Sequence, residues 1–332
     1  MRAAVITRSG GPEVLEVREA ADPFVGEGMV LVRVRASALN RADVLQREGR
    51  YPAPPGAPPE IPGLEFAGEV AERGQGAKRW REGQPVFGIT GGGAHAEYVA
   101  VHEDTLAEIP ANLNWTEAAA VPEAFITAHD ALWIQAGLQA GEHVLIHAVG
   151  SGVGLAAVQL VRARGAVSFG TSRTADKIER ARGFGLTDGI ALRDPAELKQ
   201  HATRWTDGRG IHVCLDLVGG PYVKATVGVM AVHGRIMLVG TVAGATAELP
   251  LGVVLGKRLT LRGTVLRART LEEKIAATQA FARDVMPLLA SGKVKPVVDR
   301  EFPLERIADA HRRMESDESF GKIVLTVERQ KL

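Results

Sequence analysis

Hydrophobic positions follow two different rhythms along the chain. Over roughly the first 120 residues they form short alternating runs broken by Gly and Pro, the pattern of half-buried strands joined by turns. This predicts strands over 14–17, 29–34 and 66–70, and Ala4-Val5-Ile6 alternates in the same way. Pro52, Pro54, Pro55, Pro58, Pro59 and Pro62 crowd the stretch 51–62. Proline fixes φ and lacks an N–H, so the stretch is neither helix interior nor central strand. Set within one strand-rich region, it is expected to be a stiff surface loop on the rim of a cleft rather than a linker.

From residue 143 the rhythm changes to strand, helix, strand. Apolar runs predict strands over 143–147, 166–170, 189–192, 213–217, 235–239 and 259–266. Helical periodicity falls between them at 154–164, 175–184 and 195–205, the last with Pro195 in its first turn. Such alternation predicts right-handed crossovers and a doubly wound parallel sheet. A long helix over 271–290, apolar Val297-Val298 and a helix ending at Arg313 follow. The final strand, 322–327, finds no partner in the middle pattern and is expected to return to the first region.

Length and charge narrow the function. At about 150 residues per domain, 332 residues suggest two domains. Lys and Arg total 40 against 39 for Asp and Glu. That balance excludes a general nucleic-acid or membrane-surface binder, which needs a basic excess. Cys214 is the single cysteine, so an intrachain disulfide and a Cys₄ zinc lobe are both excluded. It sits mid-strand in an apolar run and reads as core, and His147 reads as a packed or hydrogen-bonded core histidine. No apolar run reaches the ~20 residues that span a bilayer, and the first residues lack a signal-type apolar stretch. A soluble, cytoplasmic protein is expected.

The sharpest local signal is Ala148-Val149-Gly150-Ser151-Gly152-Val153-Gly154. It follows a predicted strand and opens a predicted helix, the context a dinucleotide-binding turn requires. Small residues there let the backbone approach a pyrophosphate, whose charge rests on the helix N-terminus. Gly150, Ser151, Gly152, Val153 and Gly154 are therefore cofactor candidates, although Val149 and Ser151 occupy the first two glycine positions of the usual pattern. An NAD site normally places an acid at the end of the second strand. Here Ser172 and Arg173 stand there, with Lys177 one turn on. A hydroxyl and two cations suit a 2′-phosphate, so NADPH is expected; the alternative is an exposed helix start with incidental cations.

Several segments together carry a family resemblance: ALNRAD at 38–43, QREGRYP at 46–52, PGLE at 62–65, AAAVPEAFITAH at 118–129, VLIHAVGSGVGLAAVQL at 144–160, GTVLRAR at 263–269 and GKIVL at 321–325. In order and spacing they resemble the zinc-independent quinone oxidoreductase branch of the medium-chain dehydrogenase/reductase superfamily, in particular its tumour-suppressor-inducible NADPH quinone oxidoreductase group. The resemblance implies a GroES-like β-barrel catalytic domain split over 1–123 and 267–332, with a Rossmann domain over 124–266 inserted in it. Where zinc-dependent relatives place catalytic ligands, near Asn40, Leu64 and Glu123, this chain offers an amide, an alkyl chain and one carboxylate. No catalytic zinc is expected.

Without a metal to polarise a carbonyl, the acceptor must take hydride readily, as quinones and activated enones do. Asn40, at a former ligand position, is the candidate donor to the acceptor carbonyl, or else an Asx turn. Tyr51 is the candidate to stack on a flat quinone or donate to it, or else a surface aromatic. Thr127 matches the family threonine beside the nicotinamide, or else bonds back along its helix. Glu65 is expected to support the cleft. Gly240-Thr241 and Leu266-Arg267 end predicted strands, where backbone groups hold ligands in open α/β sheets. Lys322 either reaches the cofactor's charge or is a solvated surface lysine. Where relatives often carry an adenosine-phosphate tyrosine, Leu192 offers no hydroxyl, which shifts that task to Arg173, Lys177 and Arg193. An enone or enoyl-thioester reductase and a non-catalytic NADPH binder are the alternative functions. The strand 259–266 would lie at a sheet edge, and covering it with a second copy makes a homodimer.

Overall fold

The computed structural model describes residues 1–327 and falls into two compact units. Met1–Ile126 and Leu266–Leu332 form one, and Thr127–Val265 form the other. Residues 328–332, the tail of the expected catalytic domain, lie outside the described residues.

The first unit is built on a seven-stranded sheet around Met29–Ala38, whose alternating burial matches its pleat. Glu65–Arg73 and Tyr98–His102 pair with it antiparallel, and Pro85–Ile89 and Leu106–Glu108 continue beyond Glu65–Arg73. The last strand, Lys322–Thr326, runs antiparallel to it with Val324 opposite Ala38. The chain thus returns to its first region, as expected. Val297-Val298 grows into a full strand, Val298–Pro303, parallel to Lys322–Thr326. Arg2–Ile6 and Leu15–Glu19 make a separate two-stranded sheet. Val30, Val32, Val34, Phe66, Val86, Ile323 and Leu325 meet in the core.

One expected element changes here. The helix expected over 271–290 is two helices, Leu271–Asp284 and Met286–Ala290. Pro287 cannot supply the N–H that a continuous helix needs, so it sits in the first turn of a new one. The proline-rich segment forms no helix or strand, as expected, and lies against the turn at 91–93. A side chain at Gly91 would come within 3.0 Å of Pro54.

The second unit carries six parallel strands in the order Asp188–Ala191, Val167–Ser172, His143–Ile146, Ile211–Asp216, Met230–Leu238, Thr260–Gly263. This is the Rossmann order, with the sequence-first strand in the middle. Strand His143–Ile146 is buried throughout, as a doubly covered parallel strand must be. Cys214 is wholly buried, and His147 bridges Thr171 Oγ1 and Thr226 Oγ1 at 2.8 Å each. The edge strand is shorter than the expected 259–266: it stops at Gly263 and all four of its residues are exposed. Among the described residues no helix is long and apolar enough to cross a membrane.

Candidate active site

In the second unit the turn after His143–Ile146 passes through Ala148, at φ 53°, and enters helix Gly152–Ala163. Ser151 caps that helix, its hydroxyl accepting from Gly154 N–H at 3.1 Å. A Cβ on Gly154 would sit 2.6 Å from the Ala148 carbonyl oxygen, so only glycine fits. A Cβ on Gly150 would meet Lys177 Cδ at 3.0 Å. The stem of Lys177 therefore lies against the glycine turn, and the two cofactor candidates are neighbours. Ser172 ends its strand buried, and Arg173 acts electrostatically on Tyr222. The nearby acid, Asp176, turns to Arg180 at 3.5 Å. The residues present therefore fit a phosphate-bearing dinucleotide with a negative charge at the ribose.

Other expected cofactor contacts are placed differently. Gly240 N–H donates to the Asp216 carbonyl at 3.2 Å, and the Thr241 carbonyl accepts Gly244 N–H at 3.0 Å. Leu266 and Arg267 do not end a sheet strand. The strand closes at Gly263, and both residues belong to the first unit, buried. Thr127, buried in helix Pro122–His129, falls in the second unit, unlike Asn40 and Tyr51.

The first unit gathers its polar side chains around a buried ion pair. Asn40 starts helix Arg41–Arg47, its N–H donating to Asp43 Oδ2 at 2.7 Å while Asp43 N–H returns to the Asn40 carbonyl. The Asn40 amide then points at its own unit. Its Nδ2 donates to Glu65 Oε1 at 2.9 Å and to the Ala38 carbonyl at 3.3 Å. Both amide hydrogens are taken up, so the expected carbonyl donor has none to offer a substrate in this arrangement.

Lys322 corrects a second expectation. It is neither solvated nor directed at a cofactor: Nζ donates to Leu39 O at 2.7 Å and Asn40 Oδ1 at 2.7 Å, and lies 2.6 Å from Glu65 Oε1. Three N–H donors meet three acceptors, and the ammonium is complete. Glu65, wholly buried, also accepts Glu123 N–H at 2.8 Å. Beneath it, burial works to raise Asp43, but His95 and the Asn40 N–H outweigh it and hold the carboxyl below its ordinary range.

Tyr51 stands on Arg267. The guanidinium carbon lies 5.0 Å from the ring centroid, and Nη1 donates to the Tyr51 carbonyl at 3.2 Å. Nε donates to Gly91 O at 2.9 Å and Nη2 to Gln46 Oε1 at 2.5 Å. Gln46 in turn donates to Pro59 O, so Arg267 ties both ends of the proline-rich loop to the glycine turn. Burial pushes the Tyr51 phenol up, Arg267 pulls it down and Glu123 adds to the rise; the hydroxyl remains a donor at neutral pH.

Glu123 is the residue the sequence undervalued. Burial first, then the charge of Glu65, push its carboxyl up to about 8 against the pull of Lys322 and Arg267. It is therefore mostly undissociated at neutral pH. Glu65 and Glu123 are far apart in sequence, and no local signal pairs them. The first unit thus offers a flat phenol with a cation beneath it and an undissociated acid nearby, a setting for a planar acceptor that gains charge and a proton.

The description of a zinc-binding dehydrogenase family matches residues 184–325, and that of an alcohol dehydrogenase GroES-like domain matches 26–111. A quinone oxidoreductase of Pseudomonas aeruginosa is 32% identical over 95% of this chain and 96% of its own length. The crystal structure of Escherichia coli quinone oxidoreductase complexed with NADPH is similar at TM-score 0.88 and 28% identity, covering 98% of this chain and 100% of that one. The crystal structure of an NAD-dependent alcohol dehydrogenase is similar at TM-score 0.86 and 32% identity, covering 99% and 100%.

Proposed function

The chain belongs to the medium-chain dehydrogenase/reductase family, and from that premise we propose that it is an NADPH-dependent quinone oxidoreductase that works without zinc. The observation that carries the acceptor is Tyr51 seated on Arg267, an aromatic face with its hydroxyl kept protonated. Zinc chemistry is disfavoured by the side chains themselves. Among the described residues no group of three or more His, Cys, Asp or Glu could hold a metal ion.

When bound, NADPH supplies the hydride. Gly150 to Gly154 and the start of helix Gly152–Ala163 would take its pyrophosphate, and Ser172, Arg173 and Lys177 its 2′-phosphate. Thr127 and Thr241 would orient the nicotinamide end. Tyr51 would lay the quinone flat and donate to the oxygen on which charge develops. Asn40, Glu65 and Lys322 hold that wall rigid.

The exposed edge strand Thr260–Gly263, which carries exposed Leu261, and exposed Leu251 and Leu255 on helix Leu251–Lys257 support a homodimer joined edge to edge. Light scattering tests this directly: a dimer mass is expected, and a monomer mass contradicts it. For the reaction, turnover of 1,2-naphthoquinone is compared with that of 2-alkenals and enoyl thioesters under NADPH. Quinone turnover well above the others is expected. The reverse order would replace this reading with an enone reductase.

A further inference from the structure

Glu65 and Glu123 meet in the first unit, and the fold treats the two carboxyls in opposite ways. Glu65 is saturated: Asn40 Nδ2, Lys322 Nζ and Glu123 N–H all point at it within 2.9 Å. Two of these donors share Oε1 and the third takes Oε2, so the carboxylate is committed to the unit's own framework. Glu123 lends its backbone N–H to Glu65, yet its own carboxyl has no hydrogen bond or ion pair among the described residues. It is also not wholly buried. The charges that act on it are those of Glu65 and Asp43, which repel, and Lys322 and Arg267, which attract; Tyr51 and Lys274 in turn feel its charge. Of two such neighbours, the carboxyl tied into a donor network is structural, and the one left without a partner is placed to give a proton.

Arg267 strengthens the argument. Its guanidinium is buried, bonded only to two carbonyls and an amide oxygen, and faces no carboxylate at ion-pair distance among the described residues. A buried cation without a counter-ion favours a site in which negative charge appears during the reaction.

We propose that Glu123 is the acid that gives a proton to the reduced acceptor held against Tyr51. This rests on the quinone reductase reading and names a residue that reading does not use. Hydride addition to a quinone leaves a hydroquinone monoanion. The O–H bond of Glu123 then breaks, its proton forms the second O–H of the hydroquinone, and the electron pair remains on Glu123 as carboxylate. Arg267 and Lys322 stabilise that carboxylate until water returns a proton to it. The sum is quinone, hydride and one solvent proton giving hydroquinone.

The test is Glu123→Gln, which keeps the size and neutrality of the acid and leaves the backbone N–H on Glu65. Its melting temperature at pH 5 and its NADPH affinity, read by nicotinamide fluorescence, are expected to match the wild type. Removing a general acid is expected to lower kcat about 100-fold for quinones whose reduced anion is strongly basic, and far less for halogenated quinones whose reduced anion is weakly basic. The alkaline limb of the wild-type kcat profile, expected near the carboxyl's value of about 8, should vanish in the variant. Infrared difference spectra of the unliganded protein should show an undissociated carboxylic acid at pH 7 that Glu123→Gln removes. Glu123→Asp is expected to retain a limb, which keeps the test open if the glutamine variant folds poorly. A variant that keeps the limb and slows every quinone equally overturns the proposal alone. Wild-type protein that reduces no quinone overturns both this and the reading it rests on.

Discussion

The Arg267 guanidinium sits under the Tyr51 ring at 5.0 Å and also donates to the Tyr51 carbonyl oxygen, so one side chain fixes both the ring and its backbone. Arg267→Met removes the cation and the planar fork together; Arg267→Lys keeps the charge but cannot make three divergent bonds. A lost hydrogen bond from a charged donor costs about 1.5–3 kcal/mol, or a factor of roughly 10 to 100 in binding. Both variants should therefore raise KM for quinone by about that factor, the methionine variant more. NADPH affinity should stay unchanged, because the Arg267 donors are committed to Gly91, Tyr51 and Gln46. A fall in NADPH affinity with quinone KM intact would return Arg267 to the cofactor.

Arg173 and Lys177 are expected to select the cofactor. Lys177 lies along Gly150, and Asp176, the acid that would favour a free ribose hydroxyl, is turned to Arg180. Arg173→Ala and Lys177→Ala should each weaken NADPH binding by roughly 10- to 100-fold and leave NADH binding almost untouched. Fluorescence titration with both dinucleotides checks it. Equal losses for the two would show that these cations do not read the 2′-phosphate.

Much of this was legible in the sequence, and the division is physical. The sheet of the second unit could be read because strand periodicity, glycine turn and crossover helix are all local. Gly154 shows why, since its neighbours forbid any side chain. The wall of the first unit could not, because Asn40, Glu65 and Lys322 are brought together only by strands that pair over long separations. Arg267 reads as a strand end because apolar residues continue past Gly263, although the ladder stops there. Pro287 carried its own signal in plain view, overridden by an apolar period that runs on through it.

Lys322 and Glu65 form an ion pair with almost no solvent contact, at 6% and 0% side-chain exposure. Lys322→Met strands a buried carboxylate and is expected to cost about 3–5 kcal/mol in denaturant unfolding. Adding Glu65→Gln keeps an acceptor for Asn40 and Glu123 while removing the charge, and should recover most of the loss. A double variant no more stable than Lys322→Met would show that the charge was not the cause.

Glu123 also sets a pH dependence of stability. Its carboxyl is raised in the folded chain to about 8 from an unfolded value of 4.5, so folding favours the neutral form. This contribution is complete below the unfolded value and is lost as pH rises through the folded one. Wild type and Glu123→Gln should melt together at pH 5, and the variant should melt higher by pH 9. Parallel melting curves across that range would show that the carboxyl is not raised.

The most direct test of the account is the oxidation of NADPH by 9,10-phenanthrenequinone, run beside NADH and with a strong metal chelator. The account predicts rapid turnover with NADPH, little with NADH and no effect of the chelator. Turnover abolished by the chelator, or faster with NADH, would contradict it.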